Sequence, residues 1–201
     1  KVLALEAEKL GYESLWVSDH LMSGKKPIIE CFTTLSSFAS LTKTIRLGSL
    51  VACNSYRNPS VLAKMTATID VISNGRLEFG IGAGWNKQEY QAYGFPFPKP
   101  SIRIAQMREG LEIIKKLWTE TKVSFRGNYF NINQATCEPK PVQKPYPPIT
   151  IGGSGEKQLL KVVALFADRS NFFGDTIKFA HKLKVLKNHC LKLGRNYNKI
   201  E

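Results

Sequence analysis

The stretch Leu77-Glu78-Phe79-Gly80-Ile81-Gly82-Ala83-Gly84-Trp85 decides the fold. It is a short apolar run that ends in alternating glycines, a pattern typical of a buried strand whose end lies beside a ligand. Because glycine has no side chain, a ligand can approach the backbone closely there. The sequence therefore predicts a binding pocket at this strand end, although glycines that serve only a tight exit from the strand remain an alternative.

The glycine spacing argues against a dinucleotide-binding fingerprint. That motif, G-x-G-x-x-G, opens directly into an apolar helix. Here the glycines stand at positions 80, 82 and 84, and the polar sequence Trp85-Asn86-Lys87-Gln88-Glu89-Tyr90 follows them. The sequence therefore disfavours a Rossmann domain.

Composition indicates an α/β protein of a single domain, spanning residues 1–201. The chain is 43% hydrophobic, which is enough for a substantial core, and its apolar runs fall short of the roughly 20 residues that span a bilayer. We therefore expect no membrane association. The four cysteines form no C-x-x-C pair, His181 and His189 fall on different helix faces, and no secretory leader precedes Lys1. These features predict a cytoplasmic protein with free thiols and no metal.

The formal net charge of +13 has three candidate explanations. The first is a solvated helix face, because many lysines fall in one predicted helix near the carboxyl end of the chain. The second is nucleic acid, but no zinc knuckle, aromatic RNA-binding motif or helix-turn-helix spacing is present. The third is an anionic cofactor, which a positive field would attract. We expect no nucleic-acid partner.

Strand and helix patterns alternate along the chain. Asn58 is the predicted N-cap of one helix, Ser101 of another and Asp175 of the last. The predicted strands are 14–18, 45–51, 77–82, 149–151 and 171–173; the predicted helices are 1–10, 33–41, 59–72, 101–118, 156–167 and 175–193, with a hairpin inserted at 122–132. The right-handed crossover rule turns this order into a parallel sheet with helices outside it.

Five such strands are fewer than a closed barrel needs. A barrel of eight strand–helix units takes about 250 residues. The sequence therefore predicts a barrel that is incomplete at both ends. Open sheet edges of this kind would leave it poorly stable alone, or completed by another chain.

Several short motifs together resemble the luciferase-like oxidoreductase family, over nearly the whole chain. The Ser18-Asp19-His20 signature is similar to that of members that use the deazaflavin coenzyme F420 rather than FMN. The resemblance implies a (β/α)8 TIM barrel with its cofactor at the carboxyl ends of the strands. The residues that carry it are 14–20, 45–48, 56–59, 63–65, 70, 75–77, 80–85, 139–143 and 149–153.

The resemblance also implies roles at the first two strand ends. Asp19 and His20 match a pair that contacts the deazaflavin ring and the substrate in relatives. His20 is the first candidate for the acid or base, because imidazole titrates near neutral pH, although a structural histidine remains an alternative. Relatives often have a non-proline cis peptide bond at the position of Leu50-Val51, and it backs the ring. Leu50, Val51, Ala52 and Cys53 would then line the cofactor, with Cys53 a wall residue rather than a nucleophile.

The remaining cofactor contacts come from two glycine-rich segments. Gly152, Gly153, Ser154 and Gly155 lie between a strand and a helix, where free N–H groups would bind the phosphate-bearing tail of the cofactor. Glu156 would then be a helix-capping group. Gly82, Gly84 and Trp85 would complete the floor and edge of the pocket.

Two positions depart from the pattern of the family. Its sugar-phosphate dehydrogenases place a glutamate proton donor where this chain has Trp85, so that substrate is disfavoured and Glu89 is a possible substitute. Arg169-Ser170 stands where many relatives have glycine and tryptophan.

The implied function is an F420-dependent oxidoreductase, in a homodimer, that transfers a hydride between the deazaflavin ring and a small organic substrate. An FMN-dependent monooxygenase and a truncated, non-catalytic member of the family are the alternatives.

Overall fold

A computed structural model describes residues 2–24 and 26–201 of the chain. Its main feature is a parallel sheet in the strand order β1-β2-β4-β7-β8, with the short β3 paired to β4 beyond the end of β2. The five predicted parallel strands are confirmed. The strands are β1 (Ser14–Val17), β2 (Arg46–Ser49), β3 (Ala52–Cys53), β4 (Leu77–Gly82), β5 (Val123–Arg126), β6 (Asn131–Ala135), β7 (Ile149–Gly152) and β8 (Arg169–Asn171).

Helices follow most of the parallel strands, as the alternation predicts. Asn58 caps α3 by accepting a hydrogen bond from Ser60 N, and Asp175 caps α7 by accepting one from Lys178 N. The predicted cap Ser101 is wrong, because α5 already begins at Pro100. The helices are α1 (Val2–Lys9), α2 (Cys31–Leu41), α3 (Pro59–Ile72), α4 (Lys87–Ala92), α5 (Pro100–Thr119), α6 (Leu159–Phe166) and α7 (Thr176–Lys192). In the described residues, none of them is long and apolar enough to cross a membrane.

Strand β4 divides the molecule into a core side and an inner side. Leu77, Phe79 and Ile81 are buried in the hydrophobic core with residues of α3 and α5. Because side chains alternate along a strand, Glu78, Gly80 and Gly82 face the other way, into the hollow of the curved sheet. Strand β4 therefore places a charge in the hollow at its start and no side chain of its own at its end.

Several predicted boundaries differ from the structure by two or three residues, and at two of them a charged side chain has a distant partner. Helix α6 begins at Leu159 rather than at position 156, and Glu156 is not its cap: its carboxylate bonds to Lys182 Nζ at 2.5 Å and His181 Nε2 at 3.2 Å. Strand β8 starts at Arg169, two residues early, where Arg169 pairs with Glu78. Local sequence patterns do not contain these contacts between distant residues.

The predicted hairpin is present as the antiparallel pair β5 and β6, which extends to Ala135. Glu109 of α5 holds its turn, accepting hydrogen bonds from the backbone nitrogens of Asn128, Tyr129 and Phe130. The assignment of the whole chain to one domain stays a prediction.

Candidate active site

A cavity of about 830 Å³ opens at the carboxyl ends of the parallel strands. In parallel sheets this is the edge at which the loops after each strand converge. The cavity brings together the candidate residues of five separate segments. Among the residues that line it are Asp19, His20, Leu50, Val51, Cys53, Gly82, Gly84, Trp85, Glu89, Gly152, Gly153, Ser154 and Gly155.

Ala52 is the one candidate that the structure places elsewhere. Its side chain is fully buried in the hydrophobic core. Because side chains alternate along β3, Val51 and Cys53 face the cavity while Ala52 faces the opposite side. Ala52 therefore lies behind the wall rather than in it.

The glycines at the strand ends make room for a side chain of this chain. A Cβ atom at Gly82 would lie 2.8 Å from Val51 Cγ2, and one at Gly152 would lie at the same distance from that atom. Val51 thus fills the space beside Gly82 and Gly152 in which the sequence predicted a ligand. The peptide bond between Leu50 and Val51 is cis, as the resemblance implies.

His20 is held by a buried carboxylate that lies 69 residues away in sequence. His20 Nδ1 lies 2.9 Å from Glu89 Oε2, and Glu89 Oε1 accepts hydrogen bonds from the backbone nitrogens of Leu21 and Met22. The Glu89 side chain is fully buried, whereas that of His20 is 33% exposed. Because Nδ1 is occupied by Glu89, Nε2 is the ring nitrogen left for a ligand.

Glu89 is the charged partner in this pair. Burial by itself would raise the pKa of its carboxyl group, but hydrogen bonds from His20, from the Tyr56 side chain and from the backbone of Leu21 and Met22 lower the pKa below its ordinary value. The carboxylate is therefore ionised at neutral pH and fixes the orientation of the imidazole.

Asp19 lines the cavity, but its oxygens already have partners within the chain. Arg57 donates to both of them, with Nη1–Oδ2 at 2.7 Å and Nη2–Oδ1 at 2.9 Å. Cys53 N also donates to Oδ2, at 2.8 Å. Asp19 therefore ties the end of β1 to β3, and it holds in place the segment that carries Val51.

Cys53 is a buried wall residue. Its Sγ lies 3.0 Å from the hydroxyl of Tyr90. Burial raises the pKa of the Cys53 thiol above its ordinary value, which keeps the thiol protonated at neutral pH. This environment does not activate a nucleophile.

Arg103, in the first turn of α5, is a cavity residue that the sequence reasoning missed. Arg103 is only 6% exposed. Its Nε donates to the carbonyl oxygen of Gly84 and its Nη1 to that of Pro98. Its guanidinium carbon lies 4.0 Å from the centre of the Phe97 ring. Carbonyl groups and a ring face do not neutralise a full positive charge. A sequence signal did exist, because a cation in the first turn of a helix opposes the helix dipole.

The sequence profile of the luciferase-like monooxygenase family matches residues 1–176. The chain belongs to this family. The shared fold extends to solved structures: an F420-dependent secondary alcohol dehydrogenase, in complex with an F420-acetone adduct, superposes with a TM-score of 0.87 over 98% of this chain and 61% of that one, at 23% identity. The luciferase-like barrel predicted from the sequence is confirmed.

The curated relatives of this luciferase-like chain include enzymes of two kinds. An F420-dependent glucose-6-phosphate dehydrogenase of Amycolatopsis mediterranei is 33% identical over 173 residues, which cover 83% of this chain and 49% of the relative. An FMNH2-dependent dimethylsulfone monooxygenase of Pseudomonas putida is 32% identical over 153 residues, covering 76% of this chain and 42% of the relative. The chain thus spans about half the length of the relatives it matches.

Proposed function

We propose that this chain belongs to an oxidoreductase that transfers a hydride between coenzyme F420 and a small organic substrate. The observation that carries the proposal is the His20–Glu89 pair at the wall of the large cavity. Hydride transfer to or from a carbonyl group needs a proton donor or acceptor beside the reacting carbon, and a histidine held by a carboxylate supplies one. Relatives named as F420-dependent dehydrogenases support the choice of cofactor.

The cavity suits a flat, uncharged ring. Leu50 and Val51 provide an apolar wall, and Cys53 remains a neutral thiol beside them. When bound there, F420 would supply the site that gives or takes the hydride. The residues of the chain would hold the ring, keep water from its face and move the proton at His20 Nε2.

The opposite side of the cavity suits an anion. Gly153, Ser154 and Gly155 line it ahead of α6; the N–H of Gly153 donates to Asn171 O, so the candidate donors for an anion are the N–H groups of Ser154 and Gly155. Backbone N–H groups at such a turn bind phosphate well. Arg103, which lines the same cavity beside Gly84, adds a buried positive charge without a carboxylate partner in residues 2–24 and 26–201. We assign the phosphate of the cofactor to this side.

Equilibrium titration of the protein with F420 and with FMN, followed by fluorescence, tests this proposal. We expect F420 to bind at least tenfold more tightly than FMN, and Arg103→Met to weaken F420 binding at least tenfold. Tyr12→Ala, at an exposed aromatic residue before β1, is the control and should change neither affinity. Tighter binding of FMN would favour the monooxygenase alternative, and binding of neither would favour a non-catalytic member of the family.

The cellular setting is part of the same proposal. All four cysteines are free and buried, which is consistent with a reducing cytoplasm.

Assembly as a homodimer stays a prediction, as does the expectation that no nucleic acid is bound. In the described part of the chain, no group of three His, Cys, Asp or Glu residues is placed to hold a metal ion.

A further inference from the structure

We propose that Trp85 forms an apolar subsite beside His20, which binds the ring or alkyl group of an uncharged alcohol or carbonyl substrate. This inference rests on the proposed function and names its substrate class. It also gives Trp85 a role toward the substrate, whereas the sequence placed it at the edge of the cofactor pocket.

Three features on either side of Trp85 fix its backbone position at the cavity. Gly84 has a φ of +75°, and a Cβ atom there would lie 1.9 Å from the Tyr90 hydroxyl, so that this backbone turn requires glycine. Asn86 caps α4, accepting a hydrogen bond from Glu89 N. Glu89 is in turn buried against His20. The position of Trp85 is therefore set by the same segment that sets the acid–base pair.

The indole of Trp85 presents apolar surface in the lining of the cavity. Trp85 is 73% exposed. A large apolar side chain that is left open in a concave site favours an apolar ligand, because binding removes its surface from water.

Trp85 also lies next to the reacting group. The ring centres of Trp85 and His20 are 5.8 Å apart, with an angle of 76° between the planes. A substrate oxygen that is hydrogen-bonded to His20 Nε2 would place the neighbouring carbon substituents within reach of the indole. In the oxidising direction, the C–H carbon would lose a hydride to F420 and the hydroxyl would lose its proton to Nε2, which leaves a carbonyl product and reduced F420.

The charges on this side of the cavity disfavour an anionic substrate. Asp19 and Glu89 both line it, and both have cationic or N–H partners within the chain. Arg57 is bound to Asp19 and to Glu30, and Arg103, the arginine that lines the cavity, is assigned above to the phosphate of the cofactor. A phosphate group beside His20 would therefore meet two carboxylates whose counter-charges are already engaged.

Ligand-observed NMR with three probes tests the subsite: acetophenone, acetone and glucose 6-phosphate, each with and without F420. We expect Trp85→Ala to raise the Kd of acetophenone at least fivefold and to change that of acetone less than twofold. Trp85→Phe should keep the acetophenone affinity within twofold of the parent protein, and so should the control Tyr12→Ala. Thermal unfolding of each variant checks that the exposed substitution leaves the fold intact.

The outcomes separate the two proposals. An unchanged acetophenone affinity in Trp85→Ala would overturn the subsite, as would tighter binding of glucose 6-phosphate than of acetophenone. Loss of F420 binding together with Trp85-dependent binding of acetophenone would overturn the proposed function and keep the subsite.

Discussion

Two buried glutamates occupy opposite ends of the curved sheet, and their partners differ. Glu78, at the start of β4, pairs with Arg46 of β2 and Arg169 of β8. Glu89, beyond the end of β4, pairs with His20 and with two backbone N–H groups. Both carboxylates are almost fully buried.

The partners decide what each carboxylate can do. Arginine stays protonated at all relevant pH values, so the contacts of Glu78 are permanent and serve the fold. Histidine changes its charge near neutral pH and is partly exposed to the cavity, so the contact of Glu89 can serve a proton transfer. Burial of a carboxylate alone therefore does not indicate a catalytic site; a titratable partner with access to a ligand does.

The largest expected effect is a loss of stability when the charge of Glu78, at the start of β4, is removed. Glu78→Gln should lower the free energy of unfolding by about 3 kcal/mol, because Arg46 loses its counter-charge and Arg169 keeps only that of the exposed Glu201. Urea unfolding measures this. Glu112→Gln is the control, since Glu112 pairs with Arg108 on the surface of α5 and its loss should cost less than about 0.5 kcal/mol.

A small effect of Glu78→Gln would contradict the conclusion that the contacts of Glu78 with arginine serve the fold. It would mean that the two arginines, which are partly exposed, reach water when Glu78 is neutral. F420 binding by the folded variant should stay within twofold of the parent protein, because the substitution is at the end of the sheet away from the cavity.

The base of the sheet also shows how far the sequence can predict the fold. The strands, the helices and the caps Asn58 and Asp175 follow from local patterns of burial and hydrogen bonding, and these were found. The start of β8 was not found, because Arg169 is drawn into the strand by Glu78, 91 residues earlier. Contacts between distant charged side chains have no local pattern.

The candidate site divides in the same way. The strand ends that line the cavity were predictable, because parallel topology gathers them at one edge. The partners of His20 and Asp19 were not predictable. From the sequence, Glu89 was only a possible substitute proton donor, and the pairing of Arg57 with Asp19 joins residues 38 apart. Which side chain holds His20 depends on the path of the chain after Gly84.

An intermediate effect, on kcat, is expected from substitutions at His20 and Glu89, at the cavity end of the sheet. His20→Asn should lower kcat about 10²- to 10⁴-fold if His20 moves the proton. Glu89→Gln should lower kcat less, about tenfold to a hundredfold, because it acts through His20. Steady-state kinetics with F420 and an alcohol substrate measures both.

The double variant tests whether the two residues act as a unit. Glu89→Gln should cost little further activity in the His20→Asn background, since the residue it orients is gone. Additive losses would show that Glu89 supports the fold independently of His20, and the contrast with Glu78 would then disappear.

A third carboxylate, that of Glu8 in α1, can be compared with Glu78 and Glu89, and its removal should have the smallest effect on stability. Like Glu89 it is bound by backbone N–H groups, those of Lys43, Thr44 and Ile45, but like Glu78 it has no ligand-accessible partner among these contacts. The hydrogen bond from Thr44 N is the main cause that lowers the pKa of Glu8 from 4.5 to about 2. Glu8→Gln should therefore reduce the free energy of unfolding by about 1 kcal/mol at pH 7, because the site is partly exposed.

The pH dependence of that difference follows from the direction of the pKa shift. Between the two pKa values the unfolded chain binds the proton that the folded chain does not, so the stabilising contribution of Glu8 is complete above about 4.5 and is lost as the pH falls toward about 2. Urea unfolding of the parent protein and Glu8→Gln at several pH values should show the two curves converging in acid. Activity per folded molecule should not change, because Glu8 touches only the loop before β2; a loss of activity would mean that backbone-bound carboxylates affect the pocket even from outside the sheet.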